Sequence, residues 1–344
     1  MTDVAVISLA DPRWLAFAAD CAEATPFHHP AWSEVLTRTY GMRSFALGIS
    51  DEAGAIRAAA PFIEVRGLSL RRRWISLPFT DECAPLARDG DARAELLDAL
   101  AGVHDRLRAP RIEVRGAVDA VGWTKTAAAV THHLALERDP DRVCRRFSRS
   151  QVLRNVARAE REGTTVRVAE SSEDLDAFYG LHVRTRRRQG VPVQPRRFFD
   201  AIWSALVMPG LGTILLADAD GQRAVAGALF LTWNGTTIYK FGASDPTALR
   251  LRPNHLIFNA AIRAACERGD QRFDFGRTDL DNKGLRAFKS GWGAEERPLA
   301  YSSLAPGAAE SGGGLVTRVL ASVIRRGPVW LGRGIGEAFY RFAA

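Results

Sequence analysis

Three of the four lysines in this chain fall in one window, from Lys240 to Lys289. The chain contains 47 lysines and arginines together, so arginine has taken nearly every basic position. A lysine retained against that background marks a place that requires a compact ammonium or a titratable amine rather than a planar guanidinium. The window from Lys240 to Lys289 is therefore the first candidate for a chemical site.

Other residues in the same window carry groups that can bind an amine or an anion. Strand alternation predicts Phe273 and Phe275 on one face and Asp274 on the other. Asp274 can then accept a hydrogen bond from an amine, and Arg277 can bind a phosphate or a carboxylate. The alternative is that Asp274 and Arg277 pair with each other and hold a loop. The same alternation predicts that only one of Tyr239 and Lys240 points into a cleft.

The elements that must position these residues occur twice in the chain. Each half has a strand, a turn and a second strand, then a helix and a short strand. The matching segments are 45–49, 51–54, 58–65, 94–107 and 111–115 in the first half, and 213–217, 218–221, 224–231, 254–267 and 272–276 in the second. A hairpin followed by a helical crossover predicts a mixed sheet with helices packed on it. The expected fold is therefore α/β, with mixed α+β sheets, and is present twice.

Length and composition set the domain boundaries. At 344 residues the chain exceeds the usual size of one hydrophobic core. We predict a first lobe over 1–143, a second lobe with the chemistry over 144–306, and a flexible linker with a helical tail over 307–344. The tail can dock on the body or lie on a membrane surface.

The basic character of the chain points to an anionic partner. The formal net charge is +8, which suits RNA, a phosphorylated substrate or a membrane surface. The segment 144–163, which includes Arg154, reads as an arginine-rich helix that ends near Gly163. Its arginines face either water or a phosphate, and both interpretations stay open.

Several classes of protein are not indicated. The four cysteines are scattered, and the start of the chain has neither a signal peptide nor a spanning helix, so a cytoplasmic protein is expected. Walker loops, nucleophile elbows and zinc-protease motifs are missing from the sequence. The pairs His28-His29 and His132-His133 read as capping or surface residues, and no metal site is expected.

The blocks of the second half, in their order, resemble a known family. They are Tyr239-Lys-Phe-Gly-Ala-Ser244, Arg252-Pro-Asn254, Phe273-Asp-Phe-Gly-Arg-Thr278 and Phe288-Lys-Ser-Gly-Trp-Gly293, preceded by Pro26-Phe-His-His-Pro-Ala-Trp32 and Gln189-Gly-Val-Pro192. This set is similar to the FemAB family of non-ribosomal peptidyltransferases, within the GNAT acyltransferase superfamily. The resemblance implies two tandem GNAT-like lobes. It also implies transfer of an aminoacyl group from tRNA to an amine of a peptide or peptidoglycan precursor.

The resemblance also suggests roles for individual residues. Attack of an amine on an ester builds negative charge on the carbonyl oxygen, which a nearby cation stabilises. The family's Phe-Lys pair, associated with the tRNA acceptor end and the transferred ester, matches Phe288-Lys289, so Lys289 is expected at the oxyanion. Asp274 and Arg277 complete the expected catalytic group. The expected substrate contacts are Tyr239, Lys240, Asn254, Phe288, Trp292 and Arg154.

The donor is the main point left open. GNAT enzymes that use acetyl-CoA seat its pyrophosphate on a glycine-rich turn before a helix. Here the corresponding stretch 250–256 has no glycine, and Pro253 removes an amide. We therefore expect aminoacyl-tRNA as the co-substrate, no bound cofactor, and a peptide or nucleotide-linked peptide as the acceptor. An acetyl-CoA-dependent N-acyltransferase and a non-catalytic basic module are the alternatives.

Overall fold

The computed structural model describes residues 4–66, 72–106, 111–219, 221–304, 324, 325 and 340. The chain divides into two compact units. The first comprises Met1–Ala129, Pro298–Ser311 and Phe339–Ala344, and the second comprises Val130–Arg297 and Gly312–Ala338. The division at 129/130 differs from the 143/144 boundary expected from the sequence. The predicted linker and helical tail over 307–344 lie outside the described residues, apart from 324, 325 and 340.

The first unit is a mixed sheet with helices. Its strands follow the order β1-β2-β3-β4-β6-β13, with β5 paired to β3. Its elements are β1 (Ala5–Ile7), α1 (Pro12–Asp20), α2 (Pro30–Tyr40), β2 (Arg43–Ser50), β3 (Ile56–Arg66), β4 (Arg72–Ile75), β5 (Leu86–Ala87), α3 (Gly90–Arg106), β6 (Arg111–Val114) and the end of β13 (Glu295–Leu304).

The core of the first unit forms where α3 packs on the hairpin of β2 and β3. Alternate residues of the hairpin, including Phe45, Leu47 and Phe62, meet Leu96 and Leu100 of the helix. This is the period-two pattern of a strand meeting the wider apolar stripe of a helix. The first hairpin and the helix after it are therefore those predicted from the sequence.

The second unit is also a mixed sheet, in the order β7-β12-β11-β10-β9-β8. Its elements are β7 (Thr124–Ala135), α4 (Pro140–Cys144), a π-helical turn (Arg149–Leu153), α5 (Arg154–Arg161), β8 (Thr165–Val168), α6 (Ser172–Gln189), α7 (Arg196–Ile202), a second π-helical turn (Trp203–Val207), β9 (Gly212–Ala219), β10 (Gln222–Trp233), β11 (Thr236–Ser244), a 3-10 turn (Pro246–Leu251), α8 (Pro253–Arg268), β12 (Arg272–Asp274) and α9 (Lys283–Ser290).

Helices cover both faces of the second sheet, which explains the continuous apolar runs in β9 and β10. On one face α8 and α5 pack against residues such as Leu215 and Phe230. On the other face α6 contacts β10 and β11. Gly227, which has no side chain, accommodates the ring of Phe178, because a Cβ at that position would lie 2.9 Å from Phe178 Cδ2. Apolar residues of the arginine-rich segment 144–163, such as Val152 and Ala159, are buried.

The predicted fold class, a mixed α/β fold in two tandem lobes, is confirmed by these two units. None of the described helices combines the length and the hydrophobicity that crossing a membrane requires.

Candidate functional site

Strands β11 and β12 run parallel and then separate, which opens the second sheet at one edge. They pair only over Thr236–Arg272, Thr237–Phe273 and Ile238–Asp274. Beyond Ile238, β11 continues to Ser244 and pairs with β10, whereas β12 ends at Asp274. Ligands of open α/β sheets bind at the carboxyl ends of parallel strands, and a divergence of this kind makes room for one.

A β-bulge at Lys240 sets which side chains face this opening. The register passes from Leu229–Phe241 to Phe230–Tyr239, so Lys240 is an extra residue on β11. Tyr239 packs toward α8, with its ring 4.8 Å from that of Phe258. The bulge turns Phe241 to the opposite face, where its ring lies 5.6 Å from Phe199, and the Lys240 ammonium lies 5.4 Å from the Phe241 ring centre. Tyr239 and Phe241 therefore lie on different faces of β11, with Lys240 at the bulge between them.

Tyr239 extends along β11 over Gly242. A Cβ built on Gly242 would lie 2.0 Å from the Tyr239 hydroxyl oxygen, so only glycine leaves room for this ring. Burial raises the pKa of Tyr239 to about 12, which keeps the phenol protonated. The hydroxyl has no hydrogen-bond partner among the residues that the structure describes.

The start of α8 lies beside the carboxyl end of β11. Arg252 occupies the N-cap position in the left-handed conformation, with φ of 58°, and its side chain makes no capping hydrogen bond. Pro253 follows at the first helical position, so one amide is missing from the helix start. The half-buried side chain of Asn254 has no hydrogen-bond partner within the described part of the chain. The helix start thus offers few backbone amides to a ligand, but the side chains of Arg252 and Asn254 lie beside it.

An aromatic cluster joins α8 to α9 and to α5. His255 contacts Phe288 at 5.2 Å, and Phe288 contacts Trp292 at 6.1 Å. The Asn155 amide lies 3.4 Å from His255 Nε2, and burial, aided by Arg252, lowers the pKa of His255 to about 4. Phe288 is half-buried at the edge of this cluster.

Trp292 lies in the core, whereas it was expected from the sequence to contact the substrate. Its ring is fully buried and lies 5.0 Å from Phe147, so it belongs to the hydrophobic core and does not present a substrate-binding surface. The local sequence Gly291-Trp-Gly293 does not indicate that Trp292 is buried, because its burial depends on packing against the distant segment around Phe147.

The turn that follows β12 is held from two sides by opposite charges. Asp274 Oδ1 accepts a hydrogen bond from the Gly276 amide at 2.7 Å, and Gly276 turns the chain with φ of 71°. The Lys289 ammonium donates to the Gly276 carbonyl at 2.7 Å and to the Arg277 carbonyl at 3.2 Å. A positive φ favours glycine at position 276, and the amide of that glycine binds the carboxylate at position 274. These two contacts explain why Asp274 and Gly276 occur in the Asp-Phe-Gly-Arg sequence.

Lys289 and Asp274 are therefore less open than the sequence analysis expected. Lys289 is 1% exposed and Asp274 is 8% exposed. Two hydrogen bonds from the Lys289 ammonium are directed at backbone carbonyls. Arg277 differs, because its side chain is 39% exposed and its guanidinium lies 2.9 Å from Asp279. The structure thus brings the three residues to one turn, with Arg277 as the accessible cation.

An arginine row runs along the segment before and within α5. Arg149, Arg154 and Arg161 are exposed, and none has an acidic partner among the described residues. By contrast, Arg158 of the same helix lies 2.8 Å from Glu162. Because α5 packs against α8, the row lies on the same side of the sheet as the helix start.

Two histidines of β7, the buried His132 and the half-buried His133, lie beside the site, and the sequence analysis missed them. His132 is fully buried with Nε2 3.2 Å from Glu296, and His133 Nε2 lies 3.5 Å from Asp274. They were expected to be capping or surface residues. The signal that could have found them is the predominantly apolar run Ala127–Ala135, which reads as a strand with histidines inside it.

Comparisons with known proteins agree with this fold. Residues 146–290 match the family model described as an acetyltransferase (GNAT) domain. A search of curated protein sequences finds no match. Among solved structures the chain is similar to FemX, with 17% identity over 87% of this chain and 96% of FemX and a TM-score of 0.69.

Two further solved structures are also similar. L-PGS from Bacillus licheniformis shares 15% identity over 93% of this chain and 99% of that chain, with a TM-score of 0.56. A tandem GNAT protein from the clavulanic acid biosynthesis pathway shares 13% identity over 89% of this chain and all of that chain, with a TM-score of 0.53. At these identities the likeness concerns the fold. The chain is thus a tandem GNAT-fold protein, and the findings together support an acyltransferase.

Proposed function

We propose that this protein is an N-acyltransferase that moves an aminoacyl group from aminoacyl-tRNA to an amine. The acceptor is a peptide or a peptidoglycan-precursor-like molecule, including one linked to a nucleotide. The observation that carries the proposal is the start of α8, where a left-handed Arg252 and Pro253 stand in place of a glycine turn.

That helix start suits a phosphate held by side chains better than a pyrophosphate held by amides. A pyrophosphate cradle depends on consecutive backbone amides at a helix N-terminus. Pro253 removes one of them, and a side chain at Arg252 occupies the approach that glycine would leave open. Arg252 and Asn254 can instead contact one phosphate of a longer polyanion.

The arginine row supports a long anionic partner. Arg149, Arg154 and Arg161 are exposed and without acidic partners in the described structure, so their charge is available to a ligand. Contacts between such arginines and phosphates account for much of the affinity of nucleic-acid binding and make it dependent on salt. In this proposal Arg154 contacts the backbone near the acceptor end of the tRNA.

The opening between β11 and β12 would receive the aminoacyl ester. Tyr239 and Lys240 flank the opening at the bulge, and Phe288 lies at the edge of the aromatic cluster beside α8. The turn at Gly276 closes the opposite side. Arg277, as the exposed cation of that turn, binds a phosphate or the ester end of the donor.

The reaction needs stabilisation of negative charge on the ester carbonyl. The buried ammonium of Lys289 lies behind the turn, where low polarity strengthens its field. We therefore assign to Lys289 a twofold part: it fixes the Gly276 and Arg277 carbonyls, and its charge stabilises the developing oxyanion. Asp274 acts near the attacking amine.

The test compares donors and one pair of lysine variants. Purified protein is given a panel of charged tRNAs with a peptide amine acceptor, and product is identified by mass spectrometry. Lys289→Met removes the ammonium but keeps most of the volume, and Lys283→Met is the control on the exposed first turn of the same helix. We expect transfer from at least one tRNA, lost in Lys289→Met and kept in Lys283→Met. Absence of transfer from every charged tRNA, together with turnover of acetyl-CoA, would contradict the proposal.

A second candidate is an acetyl-CoA-dependent N-acyltransferase of polysaccharide or secondary metabolism. The match of residues 146–290 to an acetyltransferase domain favours it. Binding to the native state raises the unfolding midpoint, so thermal shift separates the two donors. Stabilisation by acetyl-CoA and none by tRNA would select this candidate.

A further inference from the structure

An imidazole and a carboxylate face each other across two neighbouring strands of the second unit. Strands β7 and β12 are antiparallel, and their register places His133 directly opposite Asp274. His133 Nε2 lies 3.5 Å from Asp274 Oδ2. Residues opposite each other in a ladder have their side chains on the same face, so the pairing follows from the register itself.

Asp274 is held in one orientation by its other oxygen. Oδ1 accepts a hydrogen bond from the Thr131 hydroxyl at 2.9 Å and from the Gly276 amide at 2.7 Å. Burial raises the pKa of the Asp274 carboxyl, but His133, the Gly276 amide and the Thr131 hydroxyl outweigh burial, and the pKa falls below its ordinary value. The carboxylate is thus ionised, fixed, and turned with Oδ2 toward the imidazole.

Neither ring nitrogen of His133 makes a hydrogen bond within the described residues, although Nε2 lies within ion-pair distance of Asp274 Oδ2, at 3.5 Å. Nδ1 is buried and has no hydrogen bond among the residues that the structure describes. A buried polar nitrogen left without a partner costs about 1–3 kcal/mol. An ionised Asp274 beside Nε2 favours the tautomer with hydrogen on Nε2, which leaves the lone pair on Nδ1. An acceptor nitrogen of this kind is completed by a water or by a group of the substrate.

We propose that His133 is the proton acceptor of the acyl transfer and that Asp274 is the positioning residue that sets its tautomer. This inference deepens the function proposed above and rests on it. In the step, the amine nitrogen forms a bond to the ester carbonyl carbon, and the bond from that carbon to the ribose oxygen breaks. The proton leaves the amine for His133 Nδ1, the departing ribose oxygen takes a proton from water, and His133 returns its proton to the solvent, so the products are an amide and a free hydroxyl.

The neighbouring histidine shows that the arrangement is specific. His132 faces the other side of the strand, with Nε2 3.2 Å from Glu296, and the Arg286 guanidinium binds the same carboxylate at 2.7 Å. Burial and the charge of Lys289 lower the pKa of His132. Glu296 is thus neutralised by an arginine, whereas Asp274 has no arginine or lysine within ion-pair distance among the described residues.

The experiment measures kcat and KM of His133→Gln, Asp274→Asn and Thr131→Val with whichever donor the wild type uses. Two nucleophiles are compared: a peptide alkyl amine and hydroxylamine, which is already unprotonated and strongly nucleophilic at neutral pH. We expect His133→Gln to lower kcat for the alkyl amine about 100-fold or more, with KM nearly unchanged, because general-base catalysis contributes about 10²–10⁴-fold. Transfer to hydroxylamine should fall less than about 5-fold, which is small against that general-base contribution.

The variants separate a proton acceptor from a structural residue. A residue that only holds the fold would affect both nucleophiles alike, and His104→Gln of α3 controls for histidine loss elsewhere. Equal losses with both nucleophiles, or an unchanged kcat in a folded His133→Gln, would overturn the role of His133 while leaving the transferase intact. Absence of transfer by the wild type from both charged tRNA and acetyl-CoA would overturn the proposed function and this inference together.

Discussion

The contact between Tyr239 and Gly242 gives a prediction whose size follows from the structure. In Gly242→Ala the new methyl carbon would lie 2.0 Å from the Tyr239 hydroxyl oxygen, 2.9 Å from Cζ and 3.1 Å from Cε2. The ring is packed against Phe230 and Phe258, so it can yield only by moving core side chains. Overpacking of this kind costs about 1–3 kcal/mol.

Two smaller effects adjust that figure. The φ of Gly242 is not in the left-handed region, so alanine fits the backbone and gains about 0.4–1 kcal/mol by restricting the unfolded chain. The net loss expected for Gly242→Ala is about 1–2 kcal/mol, or about 3–6 °C in the unfolding midpoint for a domain of this size. Tyr239→Phe removes only a hydroxyl without a protein partner and should cost less than about 1 kcal/mol.

The decisive measurement is the double-mutant cycle by thermal unfolding. In the double variant the hydroxyl is absent, so the alanine methyl contacts only the ring of residue 239, which can tilt away. The double variant should therefore be about 1 kcal/mol more stable than the sum of the two single losses predicts. Gly284→Ala is the control, because a Cβ there meets nothing within 4 Å inside α9 and should stabilise the helix. Losses that add within about 0.5 kcal/mol would refute the assigned contact.

Three more predictions follow from single side chains. His182 is buried and its pKa is lowered to about 3 by burial, aided by Arg186, so the unfolded chain takes up a proton that the native state does not. The contribution of His182 to stability is therefore complete above the pKa of the unfolded chain and should fall by about 1.4 kcal/mol per pH unit as pH drops from about 6.5 toward 4. Denaturation should show a pH slope in His182→Gln that is smaller than that of the wild type by about this amount, with the contribution of His255 retained. Arg154→Ser should reduce the salt dependence of tRNA binding by about one unit of slope, whereas Arg158→Ser, which loses an ion-paired arginine, should change it less; equal slopes would exclude the contact. Arg277→Gln should raise the donor KM about tenfold while changing stability by less than about 1 kcal/mol, and an unchanged KM would remove Arg277 from the site.

The elements of this fold were largely predictable from local sequence. The hairpin of β9 and β10, helix α8 and strand β12 follow from periodicity and from glycines at their ends, such as Gly269, which has φ of 87°. Such features depend on neighbours within a few residues, and the sequence contains those neighbours. The candidate window was found in the same way, because the retained lysines are visible in composition alone.

The contacts inside that window depend on the tertiary structure. Thr131 and Asp274 are 143 positions apart, so only the β7–β12 register brings the histidine and carboxylate together. The bulge at Lys240 reverses the face of Phe241, which simple alternation could not foresee. Lys289 was expected to face the oxyanion, yet carbonyls of a turn 12 and 13 residues earlier bind its ammonium in the interior. Local pattern fixes which residues form strands and helices, whereas the packing of distant segments decides which polar groups are desolvated and which groups they meet.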